Sequence, residues 1–164
     1  MIKEFLLKRQ LNKADPVILI LLQSAAEYEK LPYEYVLAVA SRETGIRNII
    51  GDHGHGKGVI QIDDRWHEIA RRLNPITKPK DFINYGVSLL SANYKWAQKQ
   101  YPLIKYKWAG VDAWLKIGAA SYNTGLIRAQ LGAKLGDCDK YTTGKNYGKD
   151  VMERMNMFKK LIEK

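Results

Sequence analysis

The chain has 164 residues, and its 27 lysines and arginines outnumber its 17 aspartates and glutamates to give a formal net charge of +10. A hydrophobic fraction of 46% excludes a disordered chain, the length leaves little room for a second core, and the one cysteine, Cys138, excludes an intramolecular disulfide. No apolar run approaches the roughly 18 to 20 residues that span a bilayer, so we expect no membrane span. The positive charge favours an anionic partner, such as nucleic acid, anionic lipid or a wall polymer, without choosing among them.

The first predicted element is a helix that begins after Asp15. Residues 1–14 are basic and are predicted to form an N-terminal extension, while residues 15–164 are predicted to form one domain. Glu4 and Asp15 interrupt the pattern of a signal peptide, so none is expected. Asp15 suits an N-cap and Pro16 suits the first helical position, and helical periodicity follows.

A second helix and a glycine-rich loop come next. The first helix ends near Tyr28, before Pro32 interrupts the pattern. The second helix is predicted over Tyr33–Gly45, with apolar residues at the i, i+3, i+4, i+7 spacing of a half-buried helix. The loop covers Gly51–Gly58, and alternation over Val59–Asp63 predicts a short strand.

Most of the remaining chain is predicted to be helical. The predicted helices are, in chain order, one capped by Asp63 or Asp64 that ends near Leu73, one from Asp81 to about Gln100, one from Asp112 to Ala120, a shorter one after Gly125, and one over Tyr147–Ile162. The stretch Gly132–Asn146 is predicted to be a loop. The fold class is therefore mainly α with one small β-ribbon, and a cleft is expected where the ribbon meets the helices.

Glu43 is the most informative single residue, because it lies on the apolar stripe of the second helix, three residues after Ala40. A carboxyl group there is expected to point inward near the helix C-terminus. Burial and the negative end of the helix dipole both favour its protonated form, which is the form that a general acid needs. The alternative is a structural glutamate that turns aside to pair with Arg42 or Arg47.

Two aspartates follow Glu43 in the loop and the strand. The segment Gly51–Gly58 contains four glycines, which allow the backbone to approach a ligand closely. In an extended Val59–Asp63, Gln61 and Asp63 share one face and can face a cleft together. An acid on a helix end, opposite one or two ionised aspartates, is the arrangement that glycosidic hydrolysis uses. Asp52 and Asp63 also suit loop-capping or helix-capping roles.

Four ordered motifs in this sequence resemble the goose-type lysozyme family. They are Ser41-Arg42-Glu43-Thr44, Gly51-Asp52-x-Gly-x-Gly, Gly58-Val59-Ile60-Gln61-Ile62-Asp63 and Ala120-Ser121-Tyr122-Asn123-Thr124-Gly125. The resemblance runs from about Tyr33 to Phe158 and includes Tyr147-Gly148-Lys149-Asp150-Val151. It implies a lysozyme-like helical domain that cleaves the β-1,4 bond between N-acetylmuramic acid and N-acetylglucosamine in peptidoglycan.

The resemblance also implies roles for individual residues. Glu43 matches the general acid of the family, and Asp52 and Asp63 match the carboxylates that hold the attacking water. The residues that match substrate-binding positions of the family are Gln61, Tyr122, Asn123 and Tyr147.

The sequence departs from the family in a few respects. Thr44 stands where serine is usual, Ile60 stands where methionine is usual, and the disulfides of animal members are absent. The missing disulfides point to a bacterial or phage source. The resemblance implies a monomer that acts on peptidoglycan glycan strands at the bacterial cell wall, as a secreted, periplasmic or phage-released protein.

The leading interpretation is an inverting muramidase, in which Glu43 protonates the leaving oxygen while Asp63, with Asp52, activates a water molecule on the opposite face of the sugar. Two alternatives stay open. A lytic transglycosylase has similar motifs, uses one glutamate, and forms 1,6-anhydromuramic ends without needing Asp52 or Asp63. A catalytically inactive wall-binding module would keep the fold. No cofactor is expected, and no metal is expected because His53 and His55 have no cysteine or nearby histidine to complete a site. No specific nucleic acid is expected, because the basic residues are scattered and no nucleic-acid motif occurs.

Overall fold

The computed structural model describes residues 2–163, which form eight α-helices and one three-stranded antiparallel sheet. The helices are α1 Ile2–Lys13, α2 Pro16–Glu29, α3 Tyr33–Thr44, α4 Glu68–Arg72, α5 Pro79–Gln100, α6 Val111–Thr124, α7 Leu126–Lys134 and α8 Tyr147–Ile162. The strands are β1 Ile50–Gly51, β2 Gly56–Lys57 and β3 Ile62–Asp63, and short 3-10 turns cover Asp52–Gly54 and Thr143–Lys145. The predicted fold class, mainly α with a small β-ribbon, is confirmed.

The chain divides into two compact units. The first comprises the residues up to Ser88 together with those from Arg154 onward, and the second comprises Leu89–Glu153. Helix α2 packs against α3 in the first unit, and α6 packs against α7 in the second. The division into an extension and one domain stays a prediction, and its terminal residues, Met1 and Lys164, lie outside the described part of the chain. No helix within residues 2–163 is long and apolar enough to cross a bilayer.

Helix α2 begins as its sequence predicts. The Asp15 Oδ1 atom accepts a hydrogen bond from the Val17 backbone N–H at 2.8 Å, and Pro16 occupies the first turn. This bond satisfies one of the N–H groups that a helix start leaves without an intrahelical partner. Helix α2 ends at Glu29, where Lys30 adopts a left-handed conformation that closes the C-terminus.

Helix α3 is more deeply buried than its amphipathic pattern predicts. Besides the predicted Val36, Leu37 and Ala40, it buries Tyr35, Ala38 and Val39, all with 0% exposure. These three residues lie off the predicted apolar stripe, so neighbouring elements cover that side of the helix as well. Helix α3 is therefore the central helix of the first unit.

The predicted strand Val59–Asp63 is wrong over its first three residues. Only Ile62–Asp63 pairs with a neighbouring strand, and Gln61 has a left-handed backbone with φ of 51° that interrupts extended structure. Strand β2 pairs with β1 through Gly56 opposite Gly51, and with β3 through Gly56 opposite Asp63. The sheet is thus a tight antiparallel ribbon around the glycine-rich loop.

The predicted capping residues of three later helices are also wrong. Neither Asp63 nor Asp64 caps α4, since the N-cap is His67, which makes no side-chain capping bond. Helix α5 begins at Pro79, two residues before Asp81, and α6 begins at Val111 with Gly110 at the N-cap, so that Asp112 lies inside its first turn. An aspartate inside the first turn still interacts favourably with the helix dipole, so the residue type alone does not fix the boundary.

The second unit has its own hydrophobic core between α5, α6 and α7. Its buried residues are Ala97, Tyr101, Ala109, Ile117, Ala120, Ala129 and Cys138. Trp96, Tyr106 and Trp114 pack against this cluster, and the Trp114 indole N–H donates to the Tyr101 carbonyl at 2.8 Å. The core fixes the connection between α5 and α6, which contains several of its aromatic residues.

Candidate active site

Glu43 is the penultimate residue of α3 and is partly buried. Helix α3 ends at Thr44, and Gly45 follows in a left-handed conformation with φ of 65°. The Gly45 backbone N–H donates to the Ser41 carbonyl, which closes the last turn in the way that glycine allows at a helix end. Glu43 therefore lies in the last turn of a rigid, buried helix, as the sequence predicts.

Thr44 ties the end of this helix to the segment before β3. Its hydroxyl donates to the Val59 carbonyl at 2.8 Å and accepts from the Arg47 backbone N–H at 3.0 Å. Thr44 is 4% exposed and Val59 is 1% exposed, so the bond between these two residues forms away from water. Because Thr44 follows Glu43 directly, the bonds fix the position of the helix end that carries the predicted acid.

A second buried contact lies two residues before Glu43. The Ser41 hydroxyl donates to Gln10 Oε1 of α1 at 2.5 Å and accepts from Arg154 Nη1 of α8 at 2.8 Å. Helix α1 also buries Leu7 in the first unit. The basic segment predicted to be an extension thus forms a helix that contacts the same turn of α3 as Glu43.

The structure brings Asp52 and Asp63 together through Arg65. Arg65 Nη2 lies 2.7 Å from Asp52 Oδ2 and 2.6 Å from Asp63 Oδ2, so one nitrogen atom contacts both carboxylates. Arg65 Nε contacts both oxygens of Asp63, at 2.9 and 3.0 Å, and the Arg65 backbone N–H donates to Asp63 Oδ1 at 2.8 Å. Two carboxylates that would otherwise repel one another are therefore held close by a shared cation.

Arg65 also determines the protonation state of Asp63. Hydrogen bonds from the Arg65 side chain lower the pKa of Asp63 below its ordinary value, and partial burial opposes them only in part. The two carboxylates raise the pKa of Arg65 in return, so the guanidinium stays charged. Asp63 is therefore an ionised carboxylate over a wide pH range, able to accept a hydrogen bond, and its lowered pKa makes it a weaker base than an ordinary aspartate.

Asp52 lies at the tip of the ribbon in an unusual backbone conformation. Its φ is 46°, and that of His53 is 53°, both in the left-handed region that non-glycine residues seldom adopt. The Asp52 side chain is 53% exposed, and its Oδ2 atom makes the contact with Arg65. Aspartate and histidine are among the non-glycine residues that adopt this conformation most often, in turns as well as at functional sites.

Gln61 lies across the ribbon instead of extending from its face. Its amide nitrogen donates to the Gly58 carbonyl at 2.8 Å and to the Ile49 carbonyl at 3.3 Å. Its amide oxygen lies so close to Gly51 and Gly56 that a β-carbon at either glycine would collide with it. The glycines are needed here for close approach of a side chain of the protein itself.

The ribbon is further closed by Asp64. Asp64 Oδ1 lies 2.7 Å from His55 Nδ1, and Asp64 Oδ2 lies 3.4 Å from Lys57 Nζ. The hydrogen bond with His55 lowers the pKa of Asp64. His55 is thereby used in a contact within the ribbon, and within residues 2–163 no group of three or more histidine, cysteine or acidic residues is arranged to hold a metal ion.

The segment after Asp63 leads to a histidine and tyrosine pair. His67 Nδ1 lies 2.9 Å from the Tyr85 hydroxyl, and the two rings meet edge to face at 5.5 Å. Burial lowers the pKa of His67, and the nearby charge of Asp63 opposes this shift. Tyr85 also lines a groove of about 590 Å³ between α2 and α5, in which none of the predicted site residues takes part.

The remaining predicted residues, Tyr122, Asn123 and Tyr147, lie on helices of the second unit, and two of them contact the same loop. The Asn123 side-chain oxygen accepts from the Thr143 backbone N–H at 2.8 Å, and the Tyr147 backbone N–H donates to the Thr142 hydroxyl at 3.3 Å. Tyr147 is 2% exposed, and Tyr122 is partly buried near the end of α6. Thr142 and Thr143 thus connect the positions of Asn123 and Tyr147.

Asp139 fixes the start of α8, where Tyr147 lies. Its carboxylate accepts from the Gly148 backbone N–H at 2.7 Å and from the Lys149 backbone N–H at 2.9 Å. The residue is 2% exposed, so both bonds are shielded from water. Asp139 thus accepts the hydrogen bonds that an N-cap residue usually accepts, although it lies eight residues before the helix. Capping patterns in sequence cover only the residues next to the helix start, so they do not predict this role.

The sequence analysis did not identify four residues whose contacts hold the predicted site residues or their elements in place. They are Arg65, Thr44, Gln10 and Asp139. The only signal for Arg65 was its place two residues after Asp63, a spacing at which a side chain can close on an aspartate. Thr44 was noted only as a departure from the usual serine. Gln10 and Asp139 gave no signal, because their partners are distant in sequence.

These features define a class of protein. A mainly helical fold with paired carboxylates on a small sheet and a partly buried glutamate at the end of a central helix has the groups that glycoside hydrolases use. A family model described as lysozyme g matches residues 21–161, and the chain belongs to this family. The resemblance to goose-type lysozymes is thereby confirmed.

Individual relatives agree with the family match. The chain is 29% identical over 128 residues to lysozyme g from Gallus gallus, a match that covers 76% of this chain and 55% of the relative. It is 27% identical to lysozyme G from Dromaius novaehollandiae and 28% identical to lysozyme g from Struthio camelus, with 76% of this chain and 57% of each relative covered. The chain thus spans a little over half the length of these curated relatives.

Proposed function

We propose that this chain is a peptidoglycan hydrolase that cleaves the β-1,4 bond between N-acetylmuramic acid and N-acetylglucosamine. Membership of the lysozyme g family supports this reaction. The single observation that supports hydrolysis by water, rather than transglycosylation, is the pair of aspartates bridged by Arg65. The proposed substrate is the glycan strand of the bacterial cell wall, on which the protein acts as a monomer, secreted, periplasmic or phage-released.

In the proposed mechanism, Glu43 is the general acid. Its carboxyl proton passes to the glycosidic oxygen as the bond from that oxygen to the muramic acid C1 breaks. A water molecule on the opposite face of the sugar attacks C1 and gives a proton to the aspartate pair, which leaves the anomeric configuration inverted. The ionised state of Asp63 supports its part in holding that water molecule by a hydrogen bond.

Four further residues, which match substrate-binding positions of the family, are proposed to act in substrate binding. Tyr122, Asn123 and Tyr147 are assigned to contact the sugar or orient the acid, and Gln61 is assigned to the lining of the cleft. The amide nitrogen of Gln61 already donates to two backbone carbonyls, so its role is proposed to be the shape of the ribbon as much as direct contact.

The transglycosylase alternative differs from hydrolysis in what attacks C1. In that reaction the 6-hydroxyl of the muramic acid closes on C1, and no water needs to be held by Asp52 and Asp63. A shared arginine that keeps Asp63 ionised has no part in that route, and this favours hydrolysis. A wall-binding module without activity would need neither Glu43 nor the aspartates.

Wall lysis by matched variants tests the assignment of the acid. Glu43→Gln keeps the shape of the side chain and removes its proton, so we expect lysis of purified peptidoglycan to fall by about 10²- to 10⁴-fold. Glu34→Gln makes the same substitution in the first turn of α3 and is the control, for which near-normal lysis is expected. Sedimentation of Glu43→Gln with the wall shows whether binding is kept.

Asp52→Asn and Asp63→Asn extend this test to the pair. Each is expected to reduce lysis, and the double variant is expected to cost less than the product of the two single losses, because the residues act on one water molecule. Undiminished lysis by Glu43→Gln would overturn the acid assignment. Normal lysis by the double aspartate variant would favour a reaction that needs no held water.

A further inference from the structure

The loop that joins α5 to α6 presents two adjacent aliphatic side chains to solvent. Ile104 is fully exposed and Leu103 is 59% exposed, and we call these two residues the apolar tip. Trp108, in the same connection, is 52% exposed, and Val111, the first residue of α6, is 54% exposed. Single exposed aliphatic residues are common on proteins, but here two consecutive ones are followed four residues later by a half-exposed tryptophan.

The loop is held by its own backbone. The Lys105 and Tyr106 N–H groups both donate to the Pro102 carbonyl at 3.0 Å, and the Ala109 N–H donates to the Tyr106 carbonyl at 3.0 Å. These bonds form consecutive turns between Pro102 and Ala109. The apolar tip is therefore carried on ordered turns and is not a loose segment that would fold back onto the surface.

Aromatic packing supports the base of the loop. The Tyr101 ring centre lies 5.4 Å from that of Tyr106 and 5.2 Å from that of Trp108, and the last two lie 5.3 Å apart. Tyr101 is 5% exposed and belongs to the core of the second unit. The Tyr106 and Trp108 rings of the loop therefore pack against a buried residue, which anchors the base of the loop to the core of the second unit.

The charged residues of the connection that carries the apolar tip are both positive. Lys105 and Lys107 are the only charged residues of the loop, and Lys105 Nζ lies 5.4 Å from the Tyr106 ring centre. In the sequence, no aspartate or glutamate occurs from Phe82 to Val111, and Asp112 is the first that follows. The apolar tip thus belongs to a long segment that repels cations and attracts anionic surfaces.

We propose that the apolar tip docks on the surface of an anionic phospholipid bilayer. Leu103 and Ile104 would enter the boundary between headgroups and acyl chains, and Lys105 and Lys107 would contact lipid phosphates. Trp108 would lie at the interface, where an amphipathic ring is favoured. This is a peripheral contact of one loop, and it is separate from the proposed hydrolysis.

The observations favour lipid over an anionic wall polymer. A hydrated polyanion would satisfy the lysines but would leave Leu103 and Ile104 in water, whereas a bilayer surface removes them from water as well. Dependence of binding on both the aliphatic and the basic side chains is therefore the signature of the proposed partner.

Vesicle co-sedimentation of the full chain tests this signature. Vesicles of phosphatidylglycerol and phosphatidylethanolamine are expected to bind the protein, and vesicles of phosphatidylcholine are expected to bind it at least about tenfold less. The double variant Leu103→Asn/Ile104→Asn is expected to lower the anionic partition coefficient by at least about tenfold. Ile20→Asn, which changes a 63% exposed isoleucine on α2, is the control and should leave the coefficient within about twofold.

A second pair of variants separates local charge from total charge. Lys105→Gln/Lys107→Gln is expected to lower the partition coefficient by about tenfold or more. Lys159→Gln/Lys160→Gln removes the same charge from the exposed face of α8 and should have a clearly smaller effect. Equal losses from the two pairs, or equal losses from the apolar-tip variant and Ile20→Asn, would overturn the proposal, since binding would then reflect only total charge or total apolar surface.

Two further readouts identify the partner. Lipids brominated on the acyl chains should quench the tryptophan fluorescence of the variant Trp66→Phe, which keeps Trp108. They should quench the fluorescence of Trp108→Phe much less. Equal quenching of the two variants would contradict the docked orientation. If the protein sediments with purified teichoic acid but not with anionic vesicles, the partner is a wall polymer and the proposal is wrong. Lysis of purified peptidoglycan by the apolar-tip variant should stay normal, which keeps this test independent of the proposed function.

Discussion

At the ribbon, one guanidinium group contacts two carboxylates. This contact makes Arg65 the partner that keeps Asp63 ionised and prevents Asp52 and Asp63 from repelling one another. The Asp52 and Arg65 side chains are about half exposed, so the contact is screened by water and contributes little to global stability. Its consequence is expected in the pH dependence of activity.

Replacement of Arg65 by glutamine is expected to move the acid limb of the pH profile of wall lysis to higher pH. Arg65 lowers the pKa of Asp63, so its loss lets that pKa rise toward the ordinary value. A larger fraction of Asp63 is then protonated at mildly acidic pH, and less of it can accept a proton from water. The measurement is the initial rate of lysis of purified peptidoglycan from acidic to neutral pH.

Arg71→Gln is the matched control, because it removes the same charge from an exposed position in the same unit. Its acid limb should coincide with that of the unaltered protein. If Arg65→Gln and Arg71→Gln have the same profile, Arg65 does not govern the ionisation of a group that the reaction uses.

The roles of single residues were predictable only where the signal is local. Asp15 and Pro16 lie next to the helix that they begin, and both predictions are confirmed. Asp63 was predicted to be a carboxylate that holds the attacking water, with helix capping as the alternative. Its side chain contacts Arg65, and the N-cap of α4 is His67. Sequence spacing cannot reveal that an arginine also reaches Asp52, since that contact depends on how the ribbon folds.

Among the elements, the end of α3 depends on a buried threonine hydroxyl. Thr44→Val keeps the size of the side chain but leaves the Val59 carbonyl and the Arg47 N–H without this partner. We expect a loss of about 1–3 kcal/mol in the free energy of unfolding, because a buried carbonyl without a donor carries its desolvation cost. We also expect lysis to slow, since Glu43 lies next to the loosened position.

Thr44→Ser is the informative comparison, because it keeps the hydroxyl and carries the residue that is usual in the family. It removes one methyl group, so it should cost about 1 kcal/mol at most and should keep normal lysis. Urea unfolding measures both variants. Equal stability of Thr44→Val and the unaltered protein would mean that the bond to Val59 is not needed at this position.

In the second unit, the start of α8 depends on Asp139. Asp139→Asn replaces one accepting oxygen with an amide that cannot accept from a backbone N–H, so it weakens the bonds to Gly148 and Lys149. We expect a loss of about 1–3 kcal/mol in the free energy of unfolding, measured in urea. Asp112→Asn changes an exposed aspartate in the first turn of α6 and should cost less than about 1 kcal/mol.

The elements themselves were predictable to different degrees. Helix α8 has the predicted bounds, because its apolar residues follow helical spacing without interruption. The predicted strand over Val59–Asp63 failed because alternation of apolar and polar residues also fits a turn, and Gln61 supports the ribbon from a left-handed conformation. Helix α1 has no clear apolar periodicity in its sequence. Its one buried residue is Leu7, and its contact with α3 is made by the polar side chain of Gln10.

At the scale of the whole chain, composition and motif order carried more information than any one element. The mainly helical fold follows from helical periodicity over most of the sequence, and the family follows from four motifs in a fixed order. The net charge of +10 predicts only that a binding partner is negatively charged. The supporting contacts required the fold, because each joins residues that are far apart in sequence or in different elements.

The central claim is that a held water molecule attacks the sugar, and the products of peptidoglycan digestion in water enriched in ¹⁸O test it most directly. Mass spectrometry of the released muropeptides is expected to find reducing muramic acid ends that carry one heavy oxygen, with almost none released by Glu43→Gln. Anhydro ends, lighter by one water and free of heavy oxygen, would contradict the account and would assign the reaction to a transglycosylase in which Asp52 and Asp63 have only a structural part.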